Sequence, residues 1–152
     1  MPLTKTKTTK AVRETSAARA PRRTPQEKAA DLAHAMEEIR SLLEKYTPPL
    51  EVRTDAKGGY HLWSVKNIVV EGRKRKEVYF AGVIPQKGYI GFHYMPVYTN
   101  PEQKSMLIKP ELRSLLKGKS CFYVRRLEPA LKTQIKDALA SGFRLYQQQG
   151  WI

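Results

Sequence analysis

The first regular pattern of apolar positions in the chain predicts an amphipathic helix. Its apolar side chains recur at steps of four and three residues: Leu32, Met36, Ile39, Leu43 and Tyr46. This spacing places them on one face of an α-helix. Residues 24–27 read Thr-Pro-Gln-Glu, which supplies a capping threonine, a proline at the first helical position and a capping-box glutamate. We expect the helix to begin there and to end at Pro48 and Pro49.

After this helix the pattern changes to the alternation of β-strands. Residues 50–54 alternate apolar and polar side chains, residues 55–59 are rich in turn formers, and residues 60–70 continue with Tyr, Trp and Val at strand spacing. The sequence therefore predicts a β-hairpin.

Two further strands follow a charged segment. Residues 71–76 are predicted as a charged turn, residues 78–84 as a strand, and residues 86–88 as a turn into a strand at residues 89–94. Strands joined by short turns form an antiparallel meander.

The last third predicts a short helix over residues 110–116 that stops at Gly118, and a fifth strand over residues 120–126. Glu128 and Pro129 open a final helix, whose apolar side chains share one face: Leu131, Ile135, Leu139 and Phe143. The predicted fold is α+β, an antiparallel five-stranded sheet with the N- and C-terminal helices packed on one face.

The chain has 152 residues, which fits one domain with a tail. Residues 1–23 show no apolar periodicity and predict a disordered basic tail, and residues 24–152 are predicted as the single domain. The formal net charge is +14, of which residues 1–28 contribute +6 through eight basic and two acidic side chains. Such a charge suits an acidic protein or a nucleic acid as partner.

The sequence contains one cysteine, so no internal disulfide can form. A single cysteine is typical of a reducing compartment, and we expect a cytoplasmic protein. No apolar run approaches the roughly 18 residues that cross a membrane, so no membrane association is expected.

Several aromatic and glycine-containing runs resemble the YdhG-like family, a domain of unknown function. They are Val-Tyr-Phe-Ala-Gly at residues 78–82, Gly-Phe-His-Tyr-Met-Pro-Val-Tyr at 91–98, Gly-Lys-Ser-Cys-Phe at 118–122, and the closing residues 146–151. The resemblance covers residues 25–152. It implies a small bacterial cytosolic α+β domain, similar in outline to frataxin, and one relative is described as a frataxin-like iron chaperone. This chain is more basic than a typical frataxin.

Four side chains of the first helix form a candidate iron site. Glu27, Asp31, His34 and Glu38 follow at steps of four, three and four residues, so they share one stripe. Oxygen and imidazole ligands on adjacent turns suit Fe²⁺. A solvated helix face has the same pattern, and this interpretation stays open.

Two residues on separate predicted strands, Cys121 and His93, are candidates for reactive chemistry. Lys119 and Arg125 flank Cys121, and nearby cations favour the thiolate. The spacing fixes no Cys–His pair, and a small core residue is the other interpretation of Cys121. With Tyr98, these two residues are the candidate lining of a pocket.

Clusters of basic residues predict sequence-independent binding to a polyanion. The candidates are two groups of side chains: Arg73, Lys74, Arg75 and Lys76, and Arg125 with Arg126. Lys and Arg bind nucleic acid by displacing counterions from phosphates. Aromatic side chains in the strands are candidates for stacking on bases: Tyr60, Trp63, Tyr79, Tyr89 and Tyr94. No motif for reading base sequence is present.

Three functions follow from these patterns. The first is a non-enzymatic binding module of the YdhG-like kind, with iron as its most concrete ligand. The second is an accessory nucleic-acid binder, and the third is a small enzyme that uses Cys121 or His93. The sequence contains no P-loop and no dinucleotide-binding glycine pattern.

Overall fold

A computed structural model describes residues 22–152. In chain order the elements are α1 (Pro25–Glu44), β1 (Glu51–Thr54), β2 (Tyr60–Ser64), β3 (Ile68–Val70), β4 (Arg73–Arg75), β5 (Val78–Gln86), β6 (Tyr89–Tyr94), α2 (Pro96–Thr99), a 3₁₀ turn (Pro101–Gln103), α3 (Lys104–Leu107), α4 (Pro110–Arg113), β7 (Leu116–Lys117), β8 (Cys121–Val124) and α5 (Pro129–Gln148).

The predicted tail, residues 1–23, lies outside the described residues except for Arg22 and Arg23. Arg23 belongs to the folded domain, because its guanidinium donates to both carboxylate oxygens of Asp31 at 2.8 and 3.1 Å.

The α+β class and the antiparallel sheet are confirmed, but the main sheet has six strands. Their order is β1-β2-β5-β6-β8-β7, and every neighbouring pair is antiparallel. The sixth strand, β7, occupies the end of the predicted helix at residues 110–116, of which only Pro110–Arg113 is helical. Gly118 adopts a φ of +74° and turns β7 into β8, a conformation that glycine adopts without steric cost. The pairing of Leu116 and Lys117 with β8 therefore outweighs the helical pattern at the end of the predicted helix.

The predicted strand over residues 60–70 is wrong as one element. β2 ends at Ser64, whose hydroxyl donates to the Trp151 carbonyl at 2.6 Å, and the chain then enters a separate two-stranded hairpin, β3–β4. Within the predicted charged turn at residues 71–76, residues 73–75 form strand β4 instead. Only Glu71 and Gly72 form the turn, with φ values of 51° and 78°.

The predicted start of α1 is confirmed in detail. The Thr24 hydroxyl accepts from the Glu27 amide, and the Glu27 carboxylate accepts from the Thr24 amide at 2.8 Å. The helix ends at Glu44, four residues before the first proline of the predicted stop. Residues 45–49 form turns in which the Leu50 amide donates to the Tyr46 carbonyl.

The core lies between one face of the main sheet and helices α1 and α5. Fully buried aromatic side chains from three central strands form its centre: Phe80, Phe92, Tyr94 and Phe122. From α1 and α5 come buried aliphatic side chains: Ile39, Leu43, Ile135 and Leu139. The Tyr94 hydroxyl donates to the Ala138 carbonyl of α5, which fixes the helix against β6.

Among the helices of residues 22–152, none is both long and apolar enough to cross a bilayer.

Gly142 provides a test of this packing. Replacing a glycine inside a helix by alanine normally raises the free energy of unfolding by about 1 kcal/mol. Here a Cβ would stand 2.5 Å from the Tyr94 hydroxyl oxygen and 2.8 Å from Pro96 Cγ, and such overpacking costs about 1–3 kcal/mol. We expect Gly142→Ala to lower the free energy of unfolding in urea.

The matched control is the same substitution in a Tyr94→Phe background, which removes the hydroxyl that the new methyl would meet. There the cost of Gly142→Ala should shrink. An equal cost in both backgrounds would contradict the contact.

Candidate functional site

The second face of the main sheet, opposite the core, carries one continuous row of residues from all six strands. Alternation along each strand and the observed pairing place them side by side: Arg53, His61, Gly82, His93, Cys121 and Lys117. Adjacent strands lie about 4.8 Å apart, so residues distant in sequence become neighbours in this row.

A hydrogen-bonded chain of three side chains lies at one part of the row. Asp55 Oδ2 is 2.8 Å from His61 Nε2, and His61 Nδ1 is 2.9 Å from the Tyr79 hydroxyl. A carboxylate only accepts, so Nε2 carries a proton, and in the neutral ring Nδ1 accepts from the tyrosine. Burial, together with the Asp55 charge, raises the pKa of Tyr79, which keeps the phenol protonated.

Two glycines leave the space that this chain occupies. A Cβ on Gly59 would stand 2.6 Å from Asp55 Oδ2, and a Cβ on Gly82 would stand 2.5 Å from His61 Nδ1 and overlap the Tyr79 hydroxyl. The amides of Lys57 and Gly59 also donate to Asp55 Oδ1 at 2.9 and 2.8 Å. The three hydrogen-bonded side chains of Asp55, His61 and Tyr79 are therefore closely packed against the backbone of both glycines.

His93 and Cys121 meet in the same row, with 3.8 Å between Nε2 and Sγ. Burial lowers the pKa of His93 and raises the pKa of the Cys121 thiol. Both shifts favour the neutral thiol beside a neutral imidazole, whereas an activated cysteine nucleophile is a thiolate. Lys119 and Arg125, which flank Cys121 in sequence, do not lower its pKa.

Tyr98 does not join His93 and Cys121. It lies on α2 with half its surface exposed, and Lys119 Nζ lies 5.6 Å from its ring centre. Both line a separate cleft of about 320 Å³.

An arginine lies over a tryptophan ring at the end of the second face that is next to the β3–β4 hairpin. The Arg53 guanidinium lies 4.9 Å from the Trp63 ring centre and donates to both Glu77 carboxylate oxygens at 2.8 and 2.9 Å. Tyr79 meets the Trp63 ring edge-on, with centroids 5.2 Å apart. A break in the register after Leu62 brings Trp63 opposite Tyr79, so both rings occupy this face.

A second aromatic pair lies toward the other end of the face. The rings of Tyr89 and Tyr123 stack at 4.0 Å with an interplanar angle of 17°. The Arg125 guanidinium lies 6.0 Å from the Tyr89 ring centre, and Arg125 has no carboxylate partner within residues 22–152.

The basic candidates from the sequence are divided between the two ends of the sheet. Residues 73–75 form β4 and Lys76 follows it. All four are exposed and lie beyond the end of β2. Arg125 and Arg126 follow β8 at the opposite end, where Arg126 contacts Glu128 at 3.4 Å. The two predicted groups therefore remain separate clusters in the fold.

The candidate iron ligands of α1 are not brought together. Asp31 is bound by Arg23, Glu27 caps the helix, and Glu38 contacts Lys132 of α5 at 2.5 Å. Within the described part of the chain, no three His, Cys, Asp or Glu side chains are grouped to hold a metal ion.

Sequence reasoning missed Asp55, His61, Arg53 and Glu77 as members of the site. Asp55 had a local signal, because Asp with glycine four residues later suits a turn in which the carboxylate binds backbone amides. The other contacts depend on strand pairing, which the sequence does not show.

The single cysteine makes the state of the His93–Cys121 pair measurable. Because burial raises its pKa, Cys121 should be alkylated by iodoacetamide more slowly in the folded protein than in urea, with a rate midpoint above the ordinary thiol range. A midpoint below that range would show an activated thiol and would favour the enzyme hypothesis.

The Asp55–His61 bond sets a second expectation. The bond to His61 is the largest cause of the lowered pKa of Asp55, so the stability it adds is present above the unfolded pKa of about 3.9 and is lost as pH falls through the folded value. Measured by carbon-detected NMR, His61→Leu should raise the pKa of Asp55. Tyr79→Phe, the control, keeps the His61–Asp55 bond and should leave it low; an unchanged value in His61→Leu would contradict the geometry.

No protein-family model matches this chain, and neither a curated protein nor a solved structure matches it. The resemblance to the YdhG-like family stays a prediction from the sequence.

Proposed function

We propose that this protein is a non-enzymatic module that binds nucleic acid as a polyanion, without sequence preference. The observation that carries the proposal is the β3–β4 hairpin, where four consecutive basic side chains are exposed: Arg73, Lys74, Arg75 and Lys76. Within residues 22–152, none of the four has a carboxylate partner. Unpaired cations are the ones that can neutralise phosphates.

The hairpin presents these charges on both of its sides. Arg73 and Arg75 pair with Val70 and Ile68, whereas Lys74 pairs with the exposed Val69. Partners in an antiparallel pair point to the same side. Ile68 and Val70 are buried and anchor the hairpin to the domain, so the cations extend from a fixed base.

The alternatives from the sequence have weaker support. Asp31, Glu27 and Glu38, three of the four candidate iron ligands, are already engaged in other contacts. For an enzyme, His93 and Cys121 are adjacent but both are shifted toward their neutral forms. The hairpin needs no rearrangement to meet an anionic backbone.

The test is binding to a fluorescein-labelled random-sequence duplex at several salt concentrations. Each phosphate neutralised contributes about −0.9 to the slope of log K against log salt. Changing residues 73–76 to glutamine should therefore weaken binding and flatten the slope by up to about 3.6.

A matched control removes the same number of charges from the helical side of the domain. It changes four exposed lysines to glutamine: Lys28, Lys45, Lys109 and Lys136. The control should retain most of the slope. Equal losses in both variants would show that net charge alone drives binding, and no binding by the wild-type protein at low salt would defeat the proposal.

A further inference from the structure

We propose that the second face of the main sheet binds the unpaired bases of a single-stranded nucleic acid. This inference rests on the proposed function and names its ligand more closely. It follows from two stacking platforms on that face, the Arg53–Trp63 pair and the Tyr89–Tyr123 pair.

The Arg53–Trp63 platform is fixed before any ligand arrives. Glu77 holds the guanidinium with two hydrogen bonds, and Tyr79, itself bound to His61, holds the edge of the indole ring. The Glu77 carboxylate offsets the charge of Arg53, so this guanidinium serves as a flat surface rather than as a phosphate contact. Bases stack on arginine planes as well as on aromatic rings.

The Tyr89–Tyr123 platform combines stacking with a free charge. Its two half-buried rings are parallel and in contact. Arg125 lies beside Tyr89, is exposed, and has no carboxylate partner in the described part of the chain. A base can therefore stack at this pair while its phosphate contacts the guanidinium.

The hairpin and the two platforms lie in sequence along the sheet. The hairpin extends from the end of β2 and the start of β5, next to Trp63 and Tyr79. Tyr89 pairs with Gln86, seven residues along β5 from Tyr79, which places the platforms about 25 Å apart at about 3.3 Å per residue and 4.8 Å per strand. A strand of 12 nucleotides is long enough to reach both.

The chemistry of the face favours a single strand over the other possible occupants. In a duplex the bases are already stacked on one another, so they cannot lie on a sheet surface. A second copy of this chain carries the same net charge of +14 and is repelled, whereas a polyanion is attracted.

The experiment compares binding of fluorescein-labelled dT12 and of a 12-base-pair duplex to the full chain at the same salt concentration. We expect dT12 to bind at least about tenfold more tightly, because each stacked base contributes to affinity. Tyr89→Leu with Tyr123→Leu should remove most of this preference. Tyr98→Leu, which removes an exposed tyrosine outside the second face, should leave it unchanged.

Tryptophan fluorescence gives a readout that does not depend on the stability of these variants. Trp63 lies on the platform, whereas Trp151 is buried against Tyr146. Addition of dT12 should quench the wild-type fluorescence, and Trp63→Phe should abolish the quenching.

The outcomes separate the inference from the proposed function. Equal binding of dT12 and duplex without quenching would overturn the inference and leave polyanion binding standing. The absence of binding to either would overturn both. Sedimentation that shows a dimer, lost in the Tyr89→Leu, Tyr123→Leu variant and insensitive to dT12, would assign the face to a second copy and overturn the inference.

Discussion

The register of β5 with its two neighbours is the constraint on which the structure depends. Because side chains alternate along a strand, a slip of one residue would exchange the core face with the second face. The observed register keeps Ala81 in the core and Gly82 in the second face, where it lies between His61 and His93. The irregularity after Leu62 is part of this arrangement, since it brings Trp63 opposite Tyr79 rather than opposite Phe80.

The charges of the domain divide into those that organise the fold and those that remain free. Arg23 and Arg53 each hold a carboxylate with two hydrogen bonds, and these contacts fix the start of α1 and the Trp63 platform. Such surface pairs add little to stability, so their main effect is geometric. Arg125 and residues 73–76 carry their charge into solvent, where a polyanion can meet it.

Local patterns predicted the local features of the fold, whereas contacts between distant strands lay beyond them. The capping box at Thr24 and the helix opening at Pro129 depend on neighbouring residues, and both are confirmed. At the end of β2 the Ser64 hydroxyl donates to the Trp151 carbonyl, far along the chain, a contact that no local pattern shows. For the same reason Cys121 and His93 could be chosen as candidates, but their approach to within 3.8 Å required the β6–β8 pairing.

The central claim is that nucleic acid meets the β3–β4 hairpin and the second face of the sheet. Amide chemical-shift mapping by NMR with dT12 tests it most directly, because it locates the contact without any substitution. We expect shifts concentrated in residues 60–64, 68–76, 89–93 and 121–125, with the exposed sides of α1 and α5 unchanged. Shifts confined to α1 and α5, or spread evenly over all exposed lysines, would contradict it.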